Sequence, residues 1–345
     1  MSIIKYILIL FLVIIYSYNL FIFYKSMESF DNSVVLSKKN QKFPYRFFVD
    51  ENNNILPIVA ITSFFRNIQD KNRYNYFINN NIKIIGITAY KSFPIKIRDV
   101  SEDKYHLTDD FDYIQNIQNW LCCFQNSDIF TNKNNLINMS ESDFYDSENI
   151  NSNIKKKYDF IYICNKDDNK CPLDGWNAIN RNYDLALRCL PIMINEYKLK
   201  GLIVGRVNCG LEELYKDNIE VTDFLEYHIL QKKMRQSRFL FVPNIYDASP
   251  RVIAECLIKN VPVIMNKQIL CGFKYINYET GNFFNDDHDI RNALDNLLSK
   301  IDIISPQKWW AENYSIEKSS IKLRNYLYNI YPDILKNTKS VKFII

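Results

Sequence analysis

Residues 241–265 read FVPNIYDASPRVIAECLIKNVPVIM, and their reading decides the fold. Phe239-Leu240-Phe241-Val242-Pro243 is an apolar run of strand length, and VPVIM at 261–265 is a second. Between them the pattern predicts a sharp loop and a helix starting at Pro250. Strand, helix, strand in this order is a βαβ unit, and βαβ units build parallel sheets. In an open α/β sheet ligands bind beyond the carboxyl ends of the strands, where the strand ending at Val242 delivers its loop. In that loop Ser249 suits the N-cap and Pro250 the first helical position. The free amides of such a helix start, with Arg251 beside them, form an anion site. Asp247 stands just before the helix and Glu255 about a turn and a half into it. Amides and Arg251 suit phosphate, whereas carboxylates accept hydrogen bonds from sugar hydroxyls. A nucleotide-sugar carries both groups.

The same alternation extends outward. Residues 57–62 (PIVAIT), 82–88 (IKIIGIT), 136–139, 158–164 (YDFIYIC) and 201–205 (GLIVG) read as strands. Residues 113–124 (YIQNIQNWLCCF) have apolar residues at helical spacing; 182–197 predicts a helix bent at Pro191, and 227–237 a polar-faced helix. The polar, Asn/Lys-rich stretch 145–157 marks a domain boundary. The expected organisation is an N-terminal segment 1–25, a polar stem or linker 26–55, an α/β domain 56–150, a second α/β domain 155–300 and a helical tail 301–345.

Residues 243–255 (PNIYDASPRVIAE) resemble the P-S-x-x-E-x7-E signature of the group 1 (family 4-like) glycosyltransferases, which have the GT-B fold. Val261-Pro262-Val263-Ile264 is similar to their G-x-P-V-I strand, with Asn260 in place of Gly. Cys271-Gly272 sits where they carry a Gly-Gly turn, 281–284 (GNFF) resembles their closing G-x-L-F element, and 201–206 (GLIVGR) is similar to their L-x-I-V-G strand and turn. The resemblance covers 158–300. It implies two Rossmann-like domains facing a cleft, the first taking the acceptor and the second the nucleotide-sugar. It also implies that Glu255 meets the ribose hydroxyls, that Asp247 faces the sugar, and that Arg181 takes the place of the family's diphosphate-binding Lys, with Lys166 and Lys170 as weaker candidates. The sequence departs from the family in two places: Asp247 replaces the first Glu, and Ala-Ser-Pro replaces Gly-Phe-Gly.

Each candidate has a plainer reading. Arg251 and Glu255, four apart on a helix, could form only a surface ion pair. Asp247 could be a capping acid, Arg181 a solvated helix start, Trp176 a packing aromatic. Gly205 and Gly272 could be turn glycines; because the chain keeps only 7 Gly against 24 Tyr and 23 Phe, close backbone approach to a ligand is the expectation for both. In the first domain His106, among Asp109, Asp110 and Asp112, is the candidate general base if the reaction inverts. Asp110-Phe111-Asp112 is formally a D-x-D metal motif, but its polar setting favours a solvated acidic loop. No metal-spaced His cluster, P-loop, G-x-G-x-x-G or G-x-S-x-G occurs, so no metal or cofactor is expected.

Apolar residues make up 47% and charged residues 24% of the 345, which excludes wholesale disorder. The net charge of +4 is spread along the chain and leaves no nucleic-acid footprint. Residues 6–24 carry no charge and would span roughly 28 Å as a helix, close to a hydrocarbon core. A single-pass membrane anchor is the expectation, a cleaved signal the rival. The 8 cysteines lack a C-x-x-C pair and leave the compartment open; Cys164, Cys189 and Cys256 read as buried thiols. N-x-S sequons begin at Asn138 and Asn313, where chance matches are expected in so Asn-rich a chain. The leading expectation is a membrane-anchored, metal-independent glycosyltransferase acting on a glycan, lipid or protein acceptor. A non-catalytic carbohydrate- or nucleotide-binding membrane protein and a GT-B-type sugar epimerase are the alternatives.

Overall fold

The computed structural model describes residues 41–88, 91–94, 110–147, 154–247 and 251–344, together with Leu36. The chain divides into a unit Met1–Gln41 and a unit Lys42–Ile345. Only Leu36 and Gln41 of the first are described, so the expected anchor at 6–24 lies outside the described residues. Among those residues no helix is long and apolar enough to cross a membrane.

The second unit holds two six-stranded sheets. One contains β1 (Tyr45–Val49), β2 (Ile55–Ile61), β3 (Lys83–Ile87), β4 (Asn119–Cys122) and β5 (Asn135–Asn138), with the last strand of the chain, β12 (Lys342–Phe343), paired outside β1. Strands β2 to β5 are parallel, and β1 runs antiparallel to both its neighbours. The other sheet contains β6 (Tyr158–Ile163), β7 (Gly201–Val204), β8 (Ile219–Thr222), β9 (Ser237–Val242), β10 (Val263–Asn266) and β11 (Gly281–Phe284). It is parallel throughout, in the order β11-β10-β9-β6-β7-β8. The chain starts in its middle, winds out to β8 and returns to β9. This is the doubly wound Rossmann order, whose switch point lies between β6 and β9.

The helices that matter are α1 (Ile68–Asn79), α2 (Trp176–Asn180), α3 (Tyr183–Pro191), α4 (Tyr227–Arg235), α5 (Arg251–Leu257), α6 (Ile290–Leu298), α7 (Pro306–Asn313) and α8 (Ile316–Ile330). Alternate residues of the second sheet bury opposite faces. Phe160, Tyr162, Phe239 and Phe241 pack with Leu185 and Cys189 of α3 and Leu294 and Leu297 of α6. Ile161, Leu240, Val263 and Met265 pack with Ile253 and Leu257 of α5 and Trp310 of α7. Burial on both faces explains why these strands read as unbroken apolar runs. The bend expected at Pro191 is a change of helix type: a π-helical turn, Ile192–Glu196, continues α3. Proline has no amide hydrogen to keep the regular ladder going.

Three expectations about organisation are corrected. The stem 26–55 contributes β1, in which Phe47 meets Phe77 of α1 on one face and Phe48 meets Phe343 on the other. Residues 113–124 are not one helix: a single turn, Tyr113–Asn116, is capped by Asp112, and the chain then extends into β4. Four consecutive buried residues match a helical and a strand period equally well. The tail 301–345 is no appendage. Helix α7 packs on the second sheet through Trp310. Leu323 and Leu327 of α8, with Leu335, Val341 and Phe343, complete the core of the first sheet beside Phe48, Ile58 and Leu121.

The two lobes are clasped around Asp143, which is fully buried. Ser140 and Asp143 form a reciprocal capping box on the short helical turn Glu141–Phe144 of the first lobe. From the second lobe, Lys274 Nζ reaches the Asp143 carboxylate at 2.7 Å and the Tyr275 hydroxyl donates to it. Burial and this carboxylate push the Tyr275 hydroxyl well above its ordinary pKa, so it stays a donor. Ser319 Oγ of α8 donates to the Asp143 carbonyl at 2.6 Å. Removing one partner of a buried ion pair strands the other charge and typically costs about 3–5 kcal/mol. Asp143→Ala is therefore expected to lower unfolding stability by about that much, whereas Ser319→Ala, which loses a neutral bond, costs about 1 kcal/mol. Urea unfolding midpoints of the two variants check the difference.

Candidate active site

The crevice at the carboxyl ends of β6 and β9 is built by three loops. The loop after β9 is pinned from both sides. The Ile245 and Tyr246 amides donate to the Asn180 carbonyl at the end of α2, at 3.2 and 3.4 Å. The loop after β10 returns two bonds, Leu270 N to the Ile245 carbonyl at 2.7 Å and Cys271 N to the Asp247 carbonyl at 3.1 Å. Lys91 of the first lobe stands 3.4 Å above the Tyr246 ring, a cation–π contact across the cleft.

This frame brings Asp247 and Arg181 together. The Arg181 guanidinium pairs with Asp247 Oδ2, which also accepts from Asn244 Nδ2 at 3.1 Å. The Asp247 side chain is 11% exposed and that of Arg181 31%, so the pair is largely withdrawn from solvent. Glu255, on α5, is 7% exposed. Gln231 Nε2 of α4 donates to one of its oxygens at 3.0 Å, and the Tyr145 hydroxyl reaches the other at 3.4 Å. Burial, with Glu255 nearby, pushes the Tyr145 hydroxyl up to about 12, which keeps it protonated. The surface ion pair between Glu255 and Arg251 does not form; Arg251 opens α5 with its side chain exposed. Ser249 and Pro250 lie outside the described residues, as does His106.

Gly205 sits in a tight turn after β7. Its φ is +96°, its amide donates to the Thr222 carbonyl at 2.8 Å, and its carbonyl accepts from Lys166 N at 2.7 Å. A Cβ there would stand 2.7 Å from Asn165 Cα. The left-handed turn and the close approach of the loop after β6 both require glycine at this position. Gly272, at φ +89°, turns the chain into the short helix Phe273–Tyr275 that carries the clasp residues. Lys170 is exposed next to a disulfide, Cys171–Cys209, that staples the loop after β6 to the loop after β7. Asp110 pairs with Lys71 at 3.0 Å, and Asp112 accepts from the Gln115 amide at 2.9 Å. The D-x-D acids thus have structural partners, and among the described residues no cluster has a metal-binding arrangement.

Sequence reasoning missed Arg206, fully buried just past the end of β7. Its guanidinium stacks 4.1 Å from the Tyr183 ring centroid and directs Nε and Nη2 at Cys164 Sγ, 3.3 and 3.0 Å away. An Arg following a strand-end glycine carries no signal of burial. The disulfide was also missed, because spacing alone does not pair cysteines.

No protein-family model matches the sequence, and no curated protein matches it. Solved structures do. Sucrose-phosphate synthase from Thermosynechococcus elongatus superposes with a TM-score of 0.53 at 12% identity, covering 80% of this chain and 74% of that one. A glycosyltransferase from Rickettsia africae gives 0.52 at 16% identity, with 81% and 77% covered. TarM of S. aureus, in a complex with UDP and alpha-GlcNAc-glycerol, gives 0.51 at 14% identity and covers 75% of this chain. Only 53% of TarM is covered, so the chain spans about half its length. Likeness at such identities establishes the fold: the chain has the GT-B fold of the glycosyltransferases.

The disulfide closes a loop between residues 38 apart. Restricting the unfolded chain in this way typically contributes about 2–4 kcal/mol. Joint replacement, Cys171→Ser with Cys209→Ser, is expected to lower stability by that amount, read from urea unfolding without reductant.

Proposed function

We propose that the chain is a glycosyltransferase that moves a sugar from a nucleotide-sugar to a glycan, lipid or protein acceptor. The observation that supports this reading is the pairing of Asp247, in the loop after β9, with Arg181, with Glu255 buried on the helix that follows that loop, within a GT-B frame. Glu255 accepts from the ribose hydroxyls, Asp247 faces the donor sugar, and Arg181 and Arg251 neutralise the diphosphate as it leaves. Positioning and this neutralisation supply most of the rate. With cationic side chains doing that work, the reaction is metal-independent. The N-terminal run 6–24 anchors the enzyme to a membrane, and the disulfide suits a catalytic unit in an oxidising compartment.

A screen of the full-length chain in detergent against a panel of nucleotide-sugars, read as transfer or donor hydrolysis, tests the reaction. Turnover is expected to persist in EDTA; complete loss with rescue by manganese would overturn metal independence. Glu255→Gln keeps size and helix propensity but removes the charge. Charge-assisted bonds contribute about 1.5–3 kcal/mol, so nucleoside diphosphate affinity should fall roughly ten- to a hundredfold. Unchanged affinity in a folded variant would sink the donor-site assignment.

One observation favours the second reading, a non-catalytic nucleotide- or carbohydrate-binding protein. Asp247 is already neutralised by Arg181, and Glu255 is already engaged by Gln231 and Tyr145. Nucleotide binding without turnover across the whole donor panel would support it.

A further inference from the structure

Three cysteines that the proposed reaction does not use meet in one buried cluster between the lobes. Cys122 ends β4 of the first lobe and Cys123 follows it; Cys271 lies in the loop after β10 of the second. They share a buried cluster with Phe124, covered by Ile129, Phe130 and Leu270. The lobes are in register here, because Gln125 N donates to the Leu270 carbonyl at 2.8 Å. Cys123 is held from its own lobe: its amide donates to Thr88 Oγ1 at 3.0 Å and its Sγ lies 3.3 Å from the Thr88 carbonyl. Cys271 is held from the other, through its amide bond to the Asp247 carbonyl. Cys123 and Cys271 thus enter one buried cluster from opposite sides of the interface.

We propose that Cys123 and Cys271 are a redox-active pair that forms a disulfide between the lobes, locking the cleft shut at the loop that carries Asp247. Neither thiol is reactive while the lobes are apposed. Both are buried, and burial raises the Cys271 thiol far above its ordinary range, whereas the thiolate is the nucleophile. Oxidation therefore requires the lobes to separate, and a small disulfide such as oxidised glutathione is the co-reactant. On separation the Cys123 thiol gives up its proton, and its sulfur attacks one glutathione sulfur. A mixed disulfide forms and a first glutathione leaves. Cys271 loses its proton while the lobes are still apart, and as they come together its sulfur attacks the Cys123 sulfur; the protein disulfide forms and the second glutathione leaves. Two electrons pass from the protein to glutathione disulfide, and the two thiol protons end on the two glutathione molecules released.

The test treats the full-length chain with oxidised glutathione and maps peptides by mass spectrometry without reduction. The expected product joins the Cys123 and Cys271 peptides, lighter than their sum by two hydrogen atoms, and is absent from Cys123→Ser and from Cys271→Ala. Stable glutathione adducts alone, a Cys122–Cys123 linkage, or no modification would overturn the proposal. The same oxidation should lower donor turnover at least tenfold in the wild-type chain, reversibly with dithiothreitol, and leave Cys123→Ser unaffected. The Cys171→Ser/Cys209→Ser double variant should respond as the wild type does, which separates the effect from the other disulfide. A cross-link without loss of turnover would overturn the lock. The effect on turnover rests on the proposed reaction, but the cross-link does not: a chain that cross-links and shows no turnover even when reduced refutes the reaction alone.

Discussion

Around the Asp143 carboxylate three distant parts of the chain meet: the end of the first lobe, the loop after β10 and helix α8. A charge with no access to water is tolerated only when every lone pair is occupied and a counter-charge is close. Lys274, the Tyr275 hydroxyl and the Ser140 amide meet that demand, the last at 3.3 Å. An apolar cluster of the same volume could hold the lobes together as firmly, but it would tolerate sliding. The polar clasp fixes the placement of the lobes when they are together, and neighbouring bonds extend it. Trp310 Nε1 donates to the Tyr145 carbonyl at 2.8 Å, and Ile316 N to Asp146 Oδ1 at 2.8 Å.

The candidate site inherits its geometry from this arrangement. Tyr145 is two residues beyond Asp143, so the clasp decides how close its hydroxyl comes to Glu255. Gly272 and Lys274 flank the turn that leads from Cys271, whose amide holds the Asp247 carbonyl, to Tyr275. The carboxylates of the second lobe are thus positioned partly by side chains that the first lobe anchors. This coupling through shared short segments gives the cleft a defined width.

Much of the second lobe was legible in the sequence because its strands are buried on both faces and flanked by loops of distinct composition. Residues 241–265 announced β9, α5 and β10 in order, and the pairing of Asp247 with Arg181 lay within the candidates named. The first lobe was harder for physical reasons. Strand β1 hides in a polar stretch because only five residues are extended. In the second lobe the exception is strand β8, which is half-buried throughout and has no apolar run to betray it. The capping box at Ser140 and Asp143 is a readable local pattern, but Lys274 lies 131 residues further on. Arg206 and the Cys171–Cys209 bridge depend on which loops become neighbours, and sheet order alone decides that.

Strand β12 has a consequence for how the molecule is made. It pairs with β1 through Phe343 and Phe48, and it arrives nearly three hundred residues after its partner. At about 5–20 residues per second, a ribosome takes roughly 15–60 s to deliver the missing edge. The doubly wound second sheet is complete within itself well before that, once β11 has emerged. The N-terminal lobe, though synthesised first, must therefore wait half-built with the aromatic face of β1 uncovered, and it closes last. Nascent chains of this protein are thus exposed to premature pairing at that edge, and chaperone capture during translation would act on the lobe made first.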